Sequence, residues 1–237
     1  MNDISIGLFG ESGAGKTTII KNLPSILHGK PVFQKTGIIR YLFQINSKKY
    51  TNPDKLLLEN SQDLANCQGL EERYVRIQWM YETYLKSQLQ LLNDFSTEVY
   101  NTLRDPQIVT SYLVFDRSPV DFYALTVCGI NYLKNKLGGV EVDSSIVRYV
   151  EYIKKTAQHN SNLLFDKIIT VPAWNSSSKT LEDGVRDQYL TEFYTGDNWY
   201  GRINDVLLRN KTVYNLNASH IKLENRVSEV INIMLGK

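Results

Sequence analysis

Cysteine is almost missing from these 237 residues: Cys67 and Cys128 stand far apart, without CxxC spacing or a histidine cluster nearby. Neither a disulfide framework nor a zinc site is expected, and both residues read as free thiols in a reducing compartment. Histidine is nearly as scarce, and His28, His159 and His220 fall in expected loops or helix ends rather than in metal-binding or catalytic groupings. No run approaches the ~18 apolar residues of a membrane-spanning helix, and Asp3 stands where a secretory signal would carry basic residues. A soluble protein of the cytoplasm, without a membrane partner, is the expectation. Charge of one sign is lacking too: 27 Lys and Arg against 25 Asp and Glu leave a net charge of +2, well short of the basic excess of a protein that coats DNA. Internal repeats, low-complexity tracts and Gly/Ser-rich linkers are all absent, and Asn175 to Lys179, with three consecutive serines, is the one soft loop.

What is there is an average globular composition, 42% hydrophobic and 22% charged, which excludes a disordered chain. The length stays within the ~250 residues that one core can serve, so a single domain over residues 1–237 is expected. Short apolar segments alternate with amphipathic ones, the pattern of a parallel sheet covered on both faces. Ile4 to Phe9 reads as a central strand, and Pro31 to Gln34, Tyr112 to Phe115, Lys167 to Val171 and Thr212 to Leu216 bring the count to about five strands. Leu70, Tyr74, Ile77, Tyr81, Leu85, Leu89 and Leu92 recur at helical spacing and predict a long amphipathic helix. Ile146, Val150, Ile153 and Ala157 predict a second helix, and Val227, Val230, Ile231 and Met234 a closing one. Such stripes are read as core.

One motif carries specific chemistry. Gly10-Glu11-Ser12-Gly13-Ala14-Gly15-Lys16-Thr17 fits G-x-x-x-x-G-K-[ST] without departure, followed by Thr18, between an apolar strand and a helix-like run. A chance match in a chain of this length comes to roughly 1 in 100 at average residue frequencies. Its glycines would let backbone N–H groups converge on phosphate oxygens at a helix N-terminus. Lys16 would bring a point charge to the β/γ-phosphates and Thr17 a hydroxyl to Mg²⁺. The motif implies a nucleoside triphosphate. A guanine-reading Asn-Lys-x-Asp segment is missing, since Asn135-Lys136-Leu137-Gly138 lacks the carboxylate.

The strand Tyr112 to Phe115 ends in Asp116-Arg117-Ser118-Pro119, and ligands of open α/β sheets bind at that carboxyl edge. Asp116 could organise Mg²⁺, through water if not directly, or accept a proton from an attacking hydroxyl; Arg117 could neutralise phosphate charge. Ser118 as N-cap, Pro119 at N1 and Asp121 at N3 already start a helix, which leaves Asp116 available. Further on, Glu182-Asp183-Gly184-Val185-Arg186-Asp187 offers a glycine hinge and an arginine that could close over a triphosphate, or a solvated turn.

Together the Gly10–Thr17 loop, the strand-terminal Asp116-Arg117-Ser118-Pro119 with Asp121, and Asp183-Gly184-Val185-Arg186 resemble the P-loop nucleoside and nucleotide kinase superfamily. The resemblance is to nicotinamide-riboside-kinase-like and phage-type nucleotide kinases in particular. It implies a three-layer P-loop NTPase fold with a five-stranded parallel sheet of order 2-3-1-4-5 and helices on both faces. It also implies ATP as donor, Mg²⁺, Asp116 as catalytic or metal-organising acid, and Arg186 as a lid arginine on a segment at 175–196. An arginine-rich lid of the thymidylate or adenylate kinase type is missing. Residues 36–103 would form the helical acceptor-binding insertion, with Lys35, Arg40, Tyr41, Arg73, Arg76, Gln78, Trp79 and Tyr81 as candidates to bind a phosphate or read and stack a base.

The expected reaction is transfer of the γ-phosphate of ATP to a nucleoside or nucleotide-like acceptor. The alternatives are a kinase acting on a 5-hydroxymethylpyrimidine within DNA, as in phage hypermodification, and a nucleotide-dependent switch ATPase. Lys48, Lys49, Lys134, Lys136, Lys154 and Lys155 would have to converge for a DNA acceptor, and balanced charge favours a small one. A dimer is compatible with the sequence, and a phage-encoded chain would work in its host's cytoplasm.

Overall fold

Alternation along the strands sets the layers. In the first strand, β1 (Ile4–Phe9), Ile6 and Leu8 join one hydrophobic cluster and Phe9 the other. In β4 (Tyr112–Asp116), Tyr112 and Val114 face the first cluster, Leu113 and Phe115 the second. Successive side chains of a strand point to opposite faces, so each strand feeds two cores. This computed structural model describes residues 4–10, 14–46, 48–172, 212–219 and 222–237.

One face of the sheet is covered by α1 (Lys16–Lys21) and by α7 (Leu223–Leu235), which follows β6 (Thr212–Asn215). The other carries α2 (Ile38–Ile45), α3 (Pro53–Asn66), α4 (Leu70–Arg104), α5 (Pro119–Lys136) and α6 (Ser144–Leu164). The remaining strands are β2 (Ile26–Leu27), β3 (Lys30–Lys35) and β5 (Lys167–Thr170), and the sheet runs β2-β3-β4-β1-β5-β6. All neighbours pair parallel except β2 with β3. The architecture is therefore α/β with a mixed, mostly parallel sheet.

Among the described residues the sheet has six strands where five are expected. The extra one is two residues long, too short to leave a periodic signal, and it is made by a two-residue hairpin loop. His28 and Gly29 both take positive φ, 50° and 75°, as the tightest hairpin turns require.

α4 has 35 residues, some 52 Å at 1.5 Å per residue, and so outreaches the sheet by a wide margin. It packs on α5 and α6 along its length. Phe95 meets Phe122 with ring centroids 4.9 Å apart, and the buried Tyr84 hydroxyl donates to the Leu125 carbonyl at 2.8 Å. A Cβ at Gly129 would overlap the Tyr84 ring, so this helical glycine lets α4 and α5 approach. Among the described residues no helix is long and apolar enough to cross a membrane, and neither Cys67 nor Cys128 is in a disulfide.

Candidate functional site

The carboxyl end of β1 runs straight into the glycine-rich loop. Its exit is fixed by β5: the Val171 N–H donates to the Phe9 carbonyl at 2.6 Å, and a Cβ at Gly10 would overlap the Val171 carbonyl oxygen. Only glycine fits there. The loop ends at Gly15, whose φ of 88° a side chain would resist, and α1 starts at the next residue. Ala14 and Lys16 are buried, whereas Thr17 and Thr18 are exposed on the first turn of α1. Glu11, Ser12 and Gly13 lie outside the described residues, as do Arg186 and the 175–196 segment.

Lys16 Nζ donates to the Gly10 carbonyl at 2.6 Å. Beside it, the Thr17 hydroxyl donates to Asp116 Oδ2, joining residues 99 apart in sequence. Parallel pairing produces that meeting, because Leu8 of β1 lies opposite Asp116 of β4. The four preceding residues of β4 are buried and Asp116 is half-buried at the edge.

After Asp116 the chain turns sharply. Arg117 takes φ 110°, held by its N–H donating to the Leu8 carbonyl at 3.0 Å. A non-glycine residue in such a conformation costs on the order of 1–3 kcal/mol, which the surrounding bonds must offset. Its guanidinium reaches Asp121 Oδ1 at 3.2 Å, and Asp121 Oδ2 accepts from the Ser118 N–H at 2.8 Å and the Ser118 hydroxyl at 3.1 Å. Ser118 is the N-cap of α5, with Pro119 following, so the capping residues also anchor Arg117. Asp121 is wholly buried. Burial pushes its carboxyl above the usual range, against the pull of Arg117, Lys16 and the Ser118 hydrogen bonds.

Thr17 and Asp116 present hydroxyl and carboxylate oxygens, the hard donor set that suits Mg²⁺, next to the Lys16 ammonium. The residues present thus fit a magnesium–polyphosphate group.

The acceptor candidates do not gather in one place. Lys35 ends β3 opposite Phe115 and forms an ion pair with Glu98 of α4 at 3.2 Å. Arg40 and Tyr41 are exposed on α2, which starts three residues after β3. Arg76, Gln78 and Trp79 lie about 20 residues N-terminal to Glu98 on α4, roughly 30 Å along the helix axis. There Arg76 and Gln78 bond neighbouring elements, while Trp79 stays exposed. Arg76 bonds Asn60 at 2.6 Å and Asp63, and lies 4.5 Å over the Trp79 ring. The Gln78 amide donates to the Glu141 carbonyl and accepts from the Asp143 N–H, both at 2.9 Å, fastening the α5–α6 loop. Tyr81 is buried, its hydroxyl donating to the Val140 carbonyl at 3.1 Å.

A further residue, Arg226 of α7, reaches the loop and carries no motif. Its signal is its place in the helix repeat. Arg226, Val230, Ile233 and Met234 form the buried face of α7, so an arginine holds a position that the periodicity reserves for an apolar side chain. No protein-family model matches the chain, and a search of curated proteins finds no match.

Proposed function

We propose that the chain is an ATP- and Mg²⁺-dependent kinase that transfers the γ-phosphate to a hydroxyl of a nucleoside or nucleotide-like acceptor. The observation that carries the reading is the hydrogen bond between Thr17 and Asp116, which joins two hard oxygen donors beside Lys16 at the end of β1. The parallel run β3-β4-β1-β5-β6, with the loop at the end of its middle strand, supports a P-loop NTPase fold.

Lys16 would leave the Gly10 carbonyl for the β/γ-phosphates, exchanging a neutral acceptor for an anionic one. Thr17 and Asp116 would hold Mg²⁺, which when bound neutralises charge between the β- and γ-phosphates. Where Asp116 acts as the base instead of holding the metal, it would accept the proton of the acceptor hydroxyl as its oxygen bonds to the γ-phosphorus and the bond to the β-phosphate oxygen breaks. Arg117, anchored by Asp121, would add fixed positive charge at the same edge, already oriented when phosphate arrives.

The test is transfer from γ-labelled ATP to a panel of nucleosides, nucleoside monophosphates and duplex DNA carrying 5-hydroxymethylpyrimidine. Label should appear in one acceptor class, require Mg²⁺, and fall at least ~100-fold in Lys16→Met, the scale of losing one charged contact to the transition state. ATP hydrolysis that no acceptor stimulates would favour the switch ATPase instead. Full turnover by Lys16→Met would end the reading.

A further inference from the structure

A single guanidinium ties the last helix to the glycine-rich loop. Arg226 is 0% exposed and is the largest fully buried side chain among the described residues. Its Nη1 donates to the Ala14 carbonyl at 3.2 Å and to the Pro172 carbonyl at 2.9 Å. A buried cation is costly to desolvate unless its N–H groups are bonded, so its presence on an otherwise apolar face calls for a role.

The two carbonyls flank the loop. Ala14 immediately precedes Gly15 and Lys16. Pro172 follows Val171, whose backbone pairs with Phe9 and whose carbonyl oxygen excludes a side chain at Gly10. One rigid planar group therefore braces the loop at its helix end while gripping the chain that shapes its strand end. Both bonds leave the one Nη1, whose N–H groups are fixed in the guanidinium plane, so arginine meets the two acceptors at set angles that a lysine ammonium on its flexible stem does not impose.

We infer that Arg226 is a positioning residue for the described ends of the loop, Gly10 and Ala14 to Lys16, holding them for a polyphosphate through the Ala14 and Pro172 carbonyls. The inference rests on the nucleotide reading above. Positioning links the loop to α7, so a ligand that needs the braced loop must in turn steady α7. The effect should grow with the number of phosphates that the loop holds.

Calorimetric titration of the full chain with ATP, ADP and AMP tests this, using Arg226→Met and Arg226→Lys. Arg226→Met should lose ~10-fold or more in ATP affinity, the scale of a charged hydrogen bond, and clearly less in AMP affinity. Arg226→Lys should fall between it and the wild type. A residue that merely packs would lower the melting temperature and weaken all three nucleotides alike. Should Arg226→Met fail to fold, amide exchange on the wild-type chain decides: ATP should slow exchange in Leu223–Leu235 as well as in Lys16–Lys21, and AMP far less. Equal ATP affinity in a folded Arg226→Met, or protection of Lys16–Lys21 with α7 unchanged, would overturn the inference. A wild-type chain with no affinity for ATP would instead sink the nucleotide reading.

Discussion

Asp116 and Tyr81 differ in burial and in what a substitution there should change. Asp116 sits half-buried at the end of a buried strand, where its charge can act on a ligand. Asp116→Asn keeps the size and can still accept from Thr17, but loses charge and basicity. Turnover should fall ~100-fold or more, as for removal of a general base, while ATP binding persists. Steady-state kinetics beside a nucleotide titration would check this, and near-normal turnover would reduce Asp116 to a partner of Thr17. Tyr81 is fully buried, and burial first, then the Glu141 charge, pushes its hydroxyl up to about 12. A raised folded-state value means the folded chain holds its proton longer than the unfolded one. The stabilisation from the neutral phenol is complete below pH 10 and is lost as pH rises from about 10 through about 12. Tyr81→Phe should be less stable than wild type at pH 8, by about 1 kcal/mol for the lost bond to Val140. It should close that gap, or reverse it, by pH 12. Urea unfolding of both chains at pH 8, 10 and 11 measures the difference, and a gap constant with pH would refute it.

Elements were legible where one physical signal dominated. The apolar strands stand within a residue or two of their sequence positions, because a strand buried on both faces admits few polar residues. The stripe predicts the long helix only to Leu92, since Asn93, Asp94, Ser96 and Thr97 interrupt it, yet the helix continues to Arg104. Buried Ser96 and Thr102 cause no break, because their hydroxyls donate to the Leu92 and Glu98 carbonyls of the same helix. In the candidate site, the loop, Thr17 and Asp116 were legible because local sequence and strand pairing place them together. Gln78 and Arg76 are ambiguous in sequence, because an amide that bonds a loop or a guanidinium that bonds a neighbouring helix looks the same there as one that reads a ligand. Gly129 was silent for a related reason: its importance lies entirely in Tyr84, 45 residues earlier. Gly129→Ala would gain up to ~1 kcal/mol of helix propensity but force the α4–α5 contact apart, an overpacking cost of ~1–3 kcal/mol. The ring clash should win, so a lower melting temperature is expected, and calorimetric unfolding that finds the variant as stable as the parent would show that the two helices yield.

For the whole molecule the decisive feature is that the central strand is also the earliest in sequence. β1 takes its partners from β4 and β5, over a hundred residues later, through Ile4 opposite Tyr112 and Ile6 opposite Lys167. Such distant pairing must meet the entropy of closing long loops before any ladder rewards it, which slows folding. During synthesis at ~5–20 residues per second, Ile4–Phe9 waits at least about 5 s before β4 exists to cover it. Pulse-labelled amide exchange on the refolding chain should find β1 protected in the same phase as Tyr112–Phe115 and no earlier, and early protection of β1 alone would contradict this. A loop that needs β1 on one side and Val171 on the other is then among the last parts of the molecule to take shape. For the nucleotide proposed above, binding cannot begin on a nascent fragment that lacks β4 and β5, and competence arrives as one late event when the sheet closes around β1.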